Sequence, residues 1–184
     1  MTTWTTEDRQ NASPPHIVDS GASYVSLPFY EIPVRSVIAD KLFDFATTTG
    51  EWKPYYNFHA VQVPFDLAFG DPILYMLGMQ YKLAVGIIRL DPYTTYDWHT
   101  DTRRGVAVNM LLNNAKSNCL FSVNETEATH GFVELKYRLG SYYLFNNQVP
   151  HMVINFSESR YMMSVEFEAD KNQLTFDQLM MEMK

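Results

Sequence analysis

The sequence predicts a mainly β protein with flanking helices, built as an antiparallel sandwich, jelly roll or barrel. From about residue 81 onward, apolar and aromatic segments of roughly four to eight residues alternate with turn-forming clusters, a spacing typical of short antiparallel strands. Hydrophobic residues make up 46% of the 184 residues and aromatic residues 15%, which supplies a packed core. Because no linker-like break or internal repeat interrupts the chain, we expect one domain over residues 1–184.

The segments that precede this β region predict an arm followed by helices. Residues 1–33 are rich in Thr, Ser and Pro and predict an N-terminal arm with one short strand in YVSLPFYEI. Residues 34–80 predict flanking helices and loops. Asp71 followed by Pro72 predicts a helix start, since a capping carboxylate precedes proline at the first helical position. The apolar residues that recur at helical spacing before Gly50 are Val34, Val37, Ile38, Leu42 and Phe45.

Residues 81–170 predict the β core, and residues 171–184 predict a C-terminal helix. The expected strands are 83–90, 96–101, 105–112, 118–123, 131–137, 142–146, 149–155 and 160–168. Thr175 and Gln178 form a capping-box pair at the start of the last helix. Its apolar stripe packs on the domain or, as the alternative, forms a dimer contact, so monomer and homodimer both stay open.

Charge and cysteine content limit the classes of function. The formal net charge of −7 argues against nucleic acid as a partner, since phosphate backbones require clustered Lys and Arg. Cys119 is the only cysteine, and a lone thiol fits a reducing compartment. The N-terminal residues lack an apolar stretch behind a basic region, and LAVGII is too short to cross a bilayer. We expect a soluble, intracellular protein of the cytoplasm without membrane association.

Four polar residues stand out because they lie within apolar strand patterns. His99 and Asp101 point to one side of a strand if residues 96–101 are extended, because side chains two apart share a face. His151 lies in VPHMVINF, and Arg160 opens the next apolar strand. A buried charge without a partner is very costly, so these residues need one another or a ligand.

One arrangement accounts for all four residues. His99, Asp101 and His151 would form a two-histidine, one-carboxylate metal site with three open positions, a ligand set typical of non-haem Fe(II) oxygenases. Arg160 would bind the carboxylate of a co-substrate near the metal. Taken singly, each residue also fits an ordinary role, such as an exposed strand position, a turn cap, a core histidine or an ion pair. The other histidines, which we expect to be non-ligands, are His16, His59 and His130.

These residues resemble the motif of the Fe(II)- and 2-oxoglutarate-dependent oxygenases. The motif is His-x-Asp, a distal His about fifty residues on, and Arg or Lys about ten residues later; here the last two intervals are 50 and nine residues. The prolyl-4-hydroxylase-like branch is the most similar. The residues that carry this likeness are Tyr96, Leu112-Asn113, the segment GSYYLF, Pro150-His151 and Arg160-Tyr161.

The resemblance implies a double-stranded β-helix, the jelly roll of cupin-like proteins, and a hydroxylase. Fe(II) would be held by His99, Asp101 and His151, and 2-oxoglutarate would pair with Arg160. With O₂, the enzyme would hydroxylate an amino acid, peptide or small metabolite and release succinate and CO₂. The residues expected to assist co-substrate binding are Asn109, Ser164 and Tyr96; the helper tyrosine of the branch is not identifiable, and Arg89 stands at its usual place.

Alternatives remain at this point. A cupin-like metalloprotein that uses no 2-oxoglutarate, or a non-catalytic jelly-roll binding module, would fit the same strands. AlkB-type nucleic-acid demethylases typically carry a second arginine where this chain has Glu166, which argues against that substrate class. Arg103 and Arg104 follow the metal motif directly, and we expect solvated turn residues there, with contact to an acidic substrate group as the alternative.

Overall fold

The computed structural model describes residues 27–126 and 129–184, apart from the side chains of residues 124–126, 129 and 130. The strands in chain order are β1 (Phe29–Arg35), β2 (Lys53–Tyr55), β3 (Phe58–Gln62), β4 (Leu83–Leu90), β5 (Thr95–His99), β6 (Val106–Leu111), β7 (Ser117–Thr126), β8 (Thr129–Glu134), β9 (Ser141–Asn146), β10 (His151–Asn155) and β11 (Arg160–Phe167). The helices are α1 (Ala39–Thr48), α2 (Phe65–Ala68), α3 (Pro72–Gln80) and α4 (Phe176–Glu182).

The strands form two antiparallel sheets. The larger has seven strands in the order β1-β9-β6-β11-β4-β3-β2, and the smaller has four in the order β5-β10-β7-β8. Chain neighbours such as β5 and β6, or β10 and β11, lie in different sheets, so the chain crosses repeatedly from one sheet to the other. This connectivity is that of a jelly roll, and the predicted fold class is confirmed.

Two apolar clusters flank the larger sheet. One joins the helices to the outer face of that sheet, and it includes Leu42, Leu74, Val108, Val165 and Leu179. The other draws residues from both sheets and fills the space between them, and it includes Phe58, Phe121, Tyr143, Phe145 and Val153. Because strand side chains alternate, strands such as β4, β6 and β9 supply residues to both clusters. The second cluster surrounds the candidate site.

Helix capping follows the sequence signals. The Asp71 side chain accepts hydrogen bonds from the backbone N–H groups of Ile73 and Leu74, at 2.9 and 3.4 Å, with Pro72 at the first helical position. Thr175 and Gln178 form the predicted capping box of α4. Within the described residues, no helix is long and apolar enough to cross a membrane.

The region between the arm and the β core differs from the prediction. The helical period from Val34 is wrong at its start: Val34 belongs to β1, and α1 begins only at Ala39. Pairing of β1 with β9 outweighs the local pattern and leaves Val34 and Val37 exposed. The interval 34–80 also contains the β2–β3 hairpin, which extends the larger sheet beside β4. Of the strand predicted within residues 24–32, positions 24–26 lie outside the described residues.

Candidate metal centre and anion pocket

The structure brings His99, Asp101 and His151 together. His99 ends β5 and lies directly opposite His151, the first residue of β10, in the antiparallel pairing. One ligand atom from each of the three residues lies within 4.8 Å of the others. Among the described residues, this is the only group of three or more His, Cys, Asp or Glu side chains placed to hold a metal ion.

Asp101 reaches this position from a loop. The predicted strand 96–101 is too long by two residues, since β5 ends at His99. The Asp101 backbone N–H donates to the Asn147 carbonyl at 3.0 Å, which holds the chain close to the turn before β10. The Asp101 Oδ1 atom lies 3.8 Å from His99 Nε2. The side chains of His99 and Asp101 are therefore close, as expected, although Asp101 lies in a loop and not in the strand.

Both imidazoles are oriented by backbone carbonyls. The Nδ1 atom of His99 lies 2.6 Å from the Asp97 carbonyl oxygen, and that of His151 lies 2.9 Å from the Val149 carbonyl oxygen. A carbonyl only accepts hydrogen bonds, so each Nδ1 carries the proton and donates, which leaves the Nε2 lone pair free. Such a second hydrogen bond fixes the ring in metal-binding histidines.

Burial supports the neutral form of His151. The pKa of His151 is lowered to about 4, mainly by burial and in part by the nearby His99, while the hydrogen bond to Val149 opposes the shift. The His151 ring packs against Phe121 and Phe145, with ring centroids 5.8 and 4.7 Å away. A neutral imidazole is the form that binds a metal, so the apolar surroundings favour ligation near neutral pH.

Tyr96, which is expected to assist co-substrate binding, lies beside the three candidate ligands. Its ring centroid is 4.0 Å from that of His99. Burial raises the pKa of Tyr96, and the Asp101 carboxylate raises it further. The phenol is therefore protonated at neutral pH and available as a hydrogen-bond donor at the edge of the site.

A second group of polar side chains lies deeper between the sheets. Arg160 begins β11 and is 2% exposed. Asn109 on β6 and Ser164 on β11 are direct partners across the strand pair, and both are buried. The structure thus places the three predicted co-substrate residues of β6 and β11 inside the protein.

Tyr137 belongs to the same group and is absent from the sequence-based set. The Arg160 Cζ atom lies 5.4 Å from the centroid of the Tyr137 ring. Burial raises the pKa of Tyr137 above its ordinary value, and the nearby Arg160 opposes this rise, so the hydroxyl stays protonated. A signal was present in the sequence: in the predicted strand 131–137, alternation places Tyr137 on the same side as Leu135, which is buried.

Several polar atoms of this group have no hydrogen-bond partner within the described part of the chain. They are the Nε atom of Arg160, the hydroxyl of Tyr137 and the Oδ1 atom of Asn109. Among the described residues, the Arg160 side chain donates only to a weak acceptor, the sulfur of Met162, 3.3 Å from Nη2. Buried polar groups are almost always paired, and a buried cation without an anion is unfavourable. These orphaned atoms indicate a place for an anionic ligand.

The remaining candidates lie elsewhere. His59, expected to be a non-ligand, is in β3, and its Nδ1 atom lies 3.5 Å from Asp91. Arg89 pairs with the same aspartate and stacks on Trp52, so it takes no part in the anion pocket. His16 and the side chain of His130 lie outside the described residues. The expectation of two solvated arginines is wrong for Arg104, which forms an ion pair with Asp101.

Comparisons with known proteins bear on the fold. No family model and no curated protein matches the sequence. Among solved structures, a Pseudomonas putida prolyl-4-hydroxylase matches with a TM-score of 0.60 at 13% identity, covering 77% of this chain and 92% of that one. The chain has the fold of the 2-oxoglutarate and Fe(II)-dependent oxygenases.

Two further structures of this fold carry informative ligands. A viral collagen prolyl hydroxylase from Paramecium bursaria Chlorella virus-1, in complex with 2-oxoglutarate, matches with a TM-score of 0.56 at 14% identity over 77% of this chain and 96% of that one. A Trichoplax adhaerens prolyl hydroxylase, in complex with a peptide fragment of hypoxia-inducible factor, matches with a TM-score of 0.59 at 14% identity, over 79% and 84%. At this identity, the likeness establishes the fold.

Proposed function

We propose that the protein is a non-haem Fe(II)- and 2-oxoglutarate-dependent dioxygenase. It would hydroxylate a C–H bond of a peptide side chain or small molecule and release succinate and CO₂. The observation that carries the proposal is that two polar groups border the same apolar cluster between the sheets. One is the group of two histidines and one carboxylate. The other is the buried Arg160, which has no carboxylate partner among the described residues.

The donor set fits Fe(II). His99 and His151 present neutral Nε2 atoms, and Asp101 presents Oδ1, which together supply three ligands and leave three positions of an octahedral ion open. When bound, the iron supplies the oxidative chemistry, namely the coupled decarboxylation of the co-substrate and oxidation of the substrate by O₂. The three side chains fix where this chemistry takes place.

The orphaned polar atoms fit the distal carboxylate of 2-oxoglutarate. Arg160 offers two parallel N–H donors, the geometry that binds a carboxylate in a bidentate manner. Tyr137 adds a neutral donor beside it, and Asn109 and Ser164 face each other on β6 and β11. Burial of this group strengthens each charge-assisted hydrogen bond because the surroundings are apolar. The ligand would also remove the cost of the unpaired guanidinium.

The substrate would reach the metal ligands past a row of aromatic rings. Ring centroids lie 5.3 Å apart from Tyr55 to Phe58, 5.3 Å from Phe58 to Tyr96, and 4.0 Å from Tyr96 to His99. Tyr55, at the outer end, is 57% exposed. This surface suits a substrate that brings an apolar C–H group to the metal. A peptide agrees with the Trichoplax neighbour, whose structure holds a peptide fragment.

Anaerobic spectroscopy tests the proposal. The metal-free protein is loaded with Fe(II) without O₂, and 2-oxoglutarate is added. We expect a weak visible charge-transfer band, and succinate after admission of air. His99→Ala should lose the band because Fe(II) is no longer held, and Arg160→Met should require much more 2-oxoglutarate to develop it.

The outcomes separate the alternatives. Fe(II) binding without the band and without succinate would indicate a metalloprotein that uses no 2-oxoglutarate. Absence of metal binding, with no difference between the wild type and His99→Ala, would indicate a non-catalytic binding module. Either result overturns the proposed oxygenase.

A further inference from the structure

The two oxygen atoms of Asp101 have different surroundings. Oδ1 faces His99 Nε2 at 3.8 Å, whereas Oδ2 accepts hydrogen bonds from two side chains on the other side. Arg104 donates to Oδ2 from Nε at 2.6 Å, its Nη2 atom lies 2.6 Å from the same oxygen as an ion pair, and Asn147 donates from Nδ2 at 2.7 Å. We propose that Arg104 and Asn147 are positioning residues, a clamp that holds Asp101 as a metal ligand through Oδ1 alone. This inference rests on the proposed metal site.

The clamp joins two distant parts of the chain. Asp101 and Arg104 lie in the loop after β5, and Asn147 lies in the turn between β9 and β10. The Gln148 side chain donates to the backbone carbonyls of Asp101 and Arg104, at 2.8 Å each, and the Asn147 N–H donates to the Gly105 carbonyl at 3.2 Å. The turn that leads into His151 therefore also fixes the loop that carries Asp101.

Burial makes these bonds effective. The Asp101 side chain is 11% exposed, and Asn147 as a whole residue is 3% exposed. Hydrogen bonds between ionised groups are short and strong, and reduced contact with water strengthens them. Two N–H donors and the guanidinium charge lie on Oδ2, so this oxygen cannot also bind a metal unless these contacts break.

The clamp has a consequence for the open positions. A carboxylate that binds through both oxygens would take a fourth position on an octahedral ion. A co-substrate that chelates through two atoms, together with O₂, needs all three remaining positions. By holding Oδ2 away, Arg104 and Asn147 would keep the third position free. Arg103 lies next to Arg104 but is exposed, which makes it a matched control.

Binding of Co(II) tests the clamp without enzyme activity. Titration with Co(II) gives the dissociation constant, and the visible absorption band of bound Co(II) reports its coordination number. For Arg104→Gln we expect a loss of affinity of about 10–100-fold, the usual effect of removing an outer hydrogen-bond partner of a ligand, together with an altered band. Arg104→Lys should retain part of the affinity and part of the wild-type band. Arg103→Gln should match the wild type in both measurements.

Asn147→Ala separates position from charge, because it removes one donor and leaves the net charge unchanged. We expect a weaker Co(II) complex and an altered band here too, and this variant also serves if Arg104→Gln does not fold. Wild-type affinity and an unchanged band in Asn147→Ala and in every folded Arg104 variant would overturn the clamp and leave the proposed oxygenase standing. If the wild type binds Co(II) no more tightly than His99→Ala does, the proposed metal site fails instead.

Discussion

His99 and His151 face each other across the β5–β10 strand pair, and their ring centroids lie 4.3 Å apart. Each ring is held by a carbonyl two residues before it in the chain, so both histidines present Nε2 to the same point. The pairing of two strands thus creates half of the candidate ligand set, and the loop after β5 supplies the carboxylate.

Either histidine should be indispensable for metal binding. We expect His99→Ala and His151→Ala to weaken metal binding by more than the roughly 10–100-fold that loss of an outer partner causes, since a direct ligand is removed. His59→Ala is the control, because His59 on β3 pairs with Asp91, which directly follows β4. Metal content after dialysis and titration with Co(II) give the measurement. Equal retention of metal by all three variants would contradict the assignment.

Removal of the Arg160 charge should not lower the melting temperature of the free protein, but it should abolish the stabilisation by 2-oxoglutarate. The buried guanidinium lacks a carboxylate partner among the described residues, so Arg160→Met should leave the melting temperature of the free protein unchanged or raise it. Addition of 2-oxoglutarate should raise the melting temperature of the wild type by mass action, but not that of the variant. A variant that melts far lower without ligand would instead point to a purely structural arginine.

Tyr137→Phe tests the neutral donor beside Arg160. The hydroxyl is buried without a hydrogen-bond partner in the described structure, so its loss should not reduce the free energy of unfolding. If the hydroxyl donates to 2-oxoglutarate, affinity should fall by about tenfold, which corresponds to about 1.4 kcal/mol. Titration of the metal-loaded protein measures this affinity. Tyr142→Phe is the control, since that hydroxyl is also buried without a hydrogen-bond partner in the described structure, but its ring lies in the cluster on the helix side of the larger sheet.

Alternation in strands made most of the site predictable. His99, His151, Asn109 and Ser164 lie where the side-chain period of two places them, because antiparallel pairing preserves that period across a sheet. The helical period at Val34 failed for the opposite reason: pairing between β1 and β9 joins segments more than a hundred residues apart, as in Glu31 opposite Tyr143. Local patterns contain no information on such a partner.

The contacts of Arg104 with Asp101 show a second limit. Two arginines in sequence, Arg103 and Arg104, look equivalent, yet only Arg104 is bonded to the carboxylate. The difference arises from the turn between β9 and β10. There, Asn147 donates to the Asp101 carboxylate and Gln148 donates to the Arg104 carbonyl. Loop-to-loop geometry of this kind depends on the finished fold, so residue type and spacing cannot predict it.

The stability of the metal-free protein should fall in mild acid. Burial lowers the pKa of His151 from its ordinary 6.5 to about 4, so the unfolded chain takes up a proton at a higher pH than the folded one. Stability is then fully present above about pH 6.5 and decreases as the pH falls towards about 4, by at most about 3 kcal/mol. Urea unfolding with a chelator, at about pH 7 and about pH 5, measures the change.

His151→Leu isolates this contribution from that of the carboxylates. The variant lacks the group whose pKa shifts, so its stability should decrease less over the same pH interval than that of the wild type. Equal losses in both proteins would show that His151 does not control the pH dependence.

Gly105 tests whether the C-terminal segment holds the Asp101 loop in place. A Cβ atom at Gly105 would overlap the carbonyl oxygen of Leu174 and would lie 3.1 Å from the Cα atom of Lys171. Both are backbone atoms that cannot rotate away, so Gly105→Ala should lower the free energy of unfolding by about 1–3 kcal/mol. Because Arg104 precedes this glycine, the displaced loop should also bind Co(II) more weakly. Gly50→Ala is the control, since no atom lies within 4 Å of its added Cβ. Urea unfolding of both variants gives the comparison, and equal stability would show that the loop can move without cost.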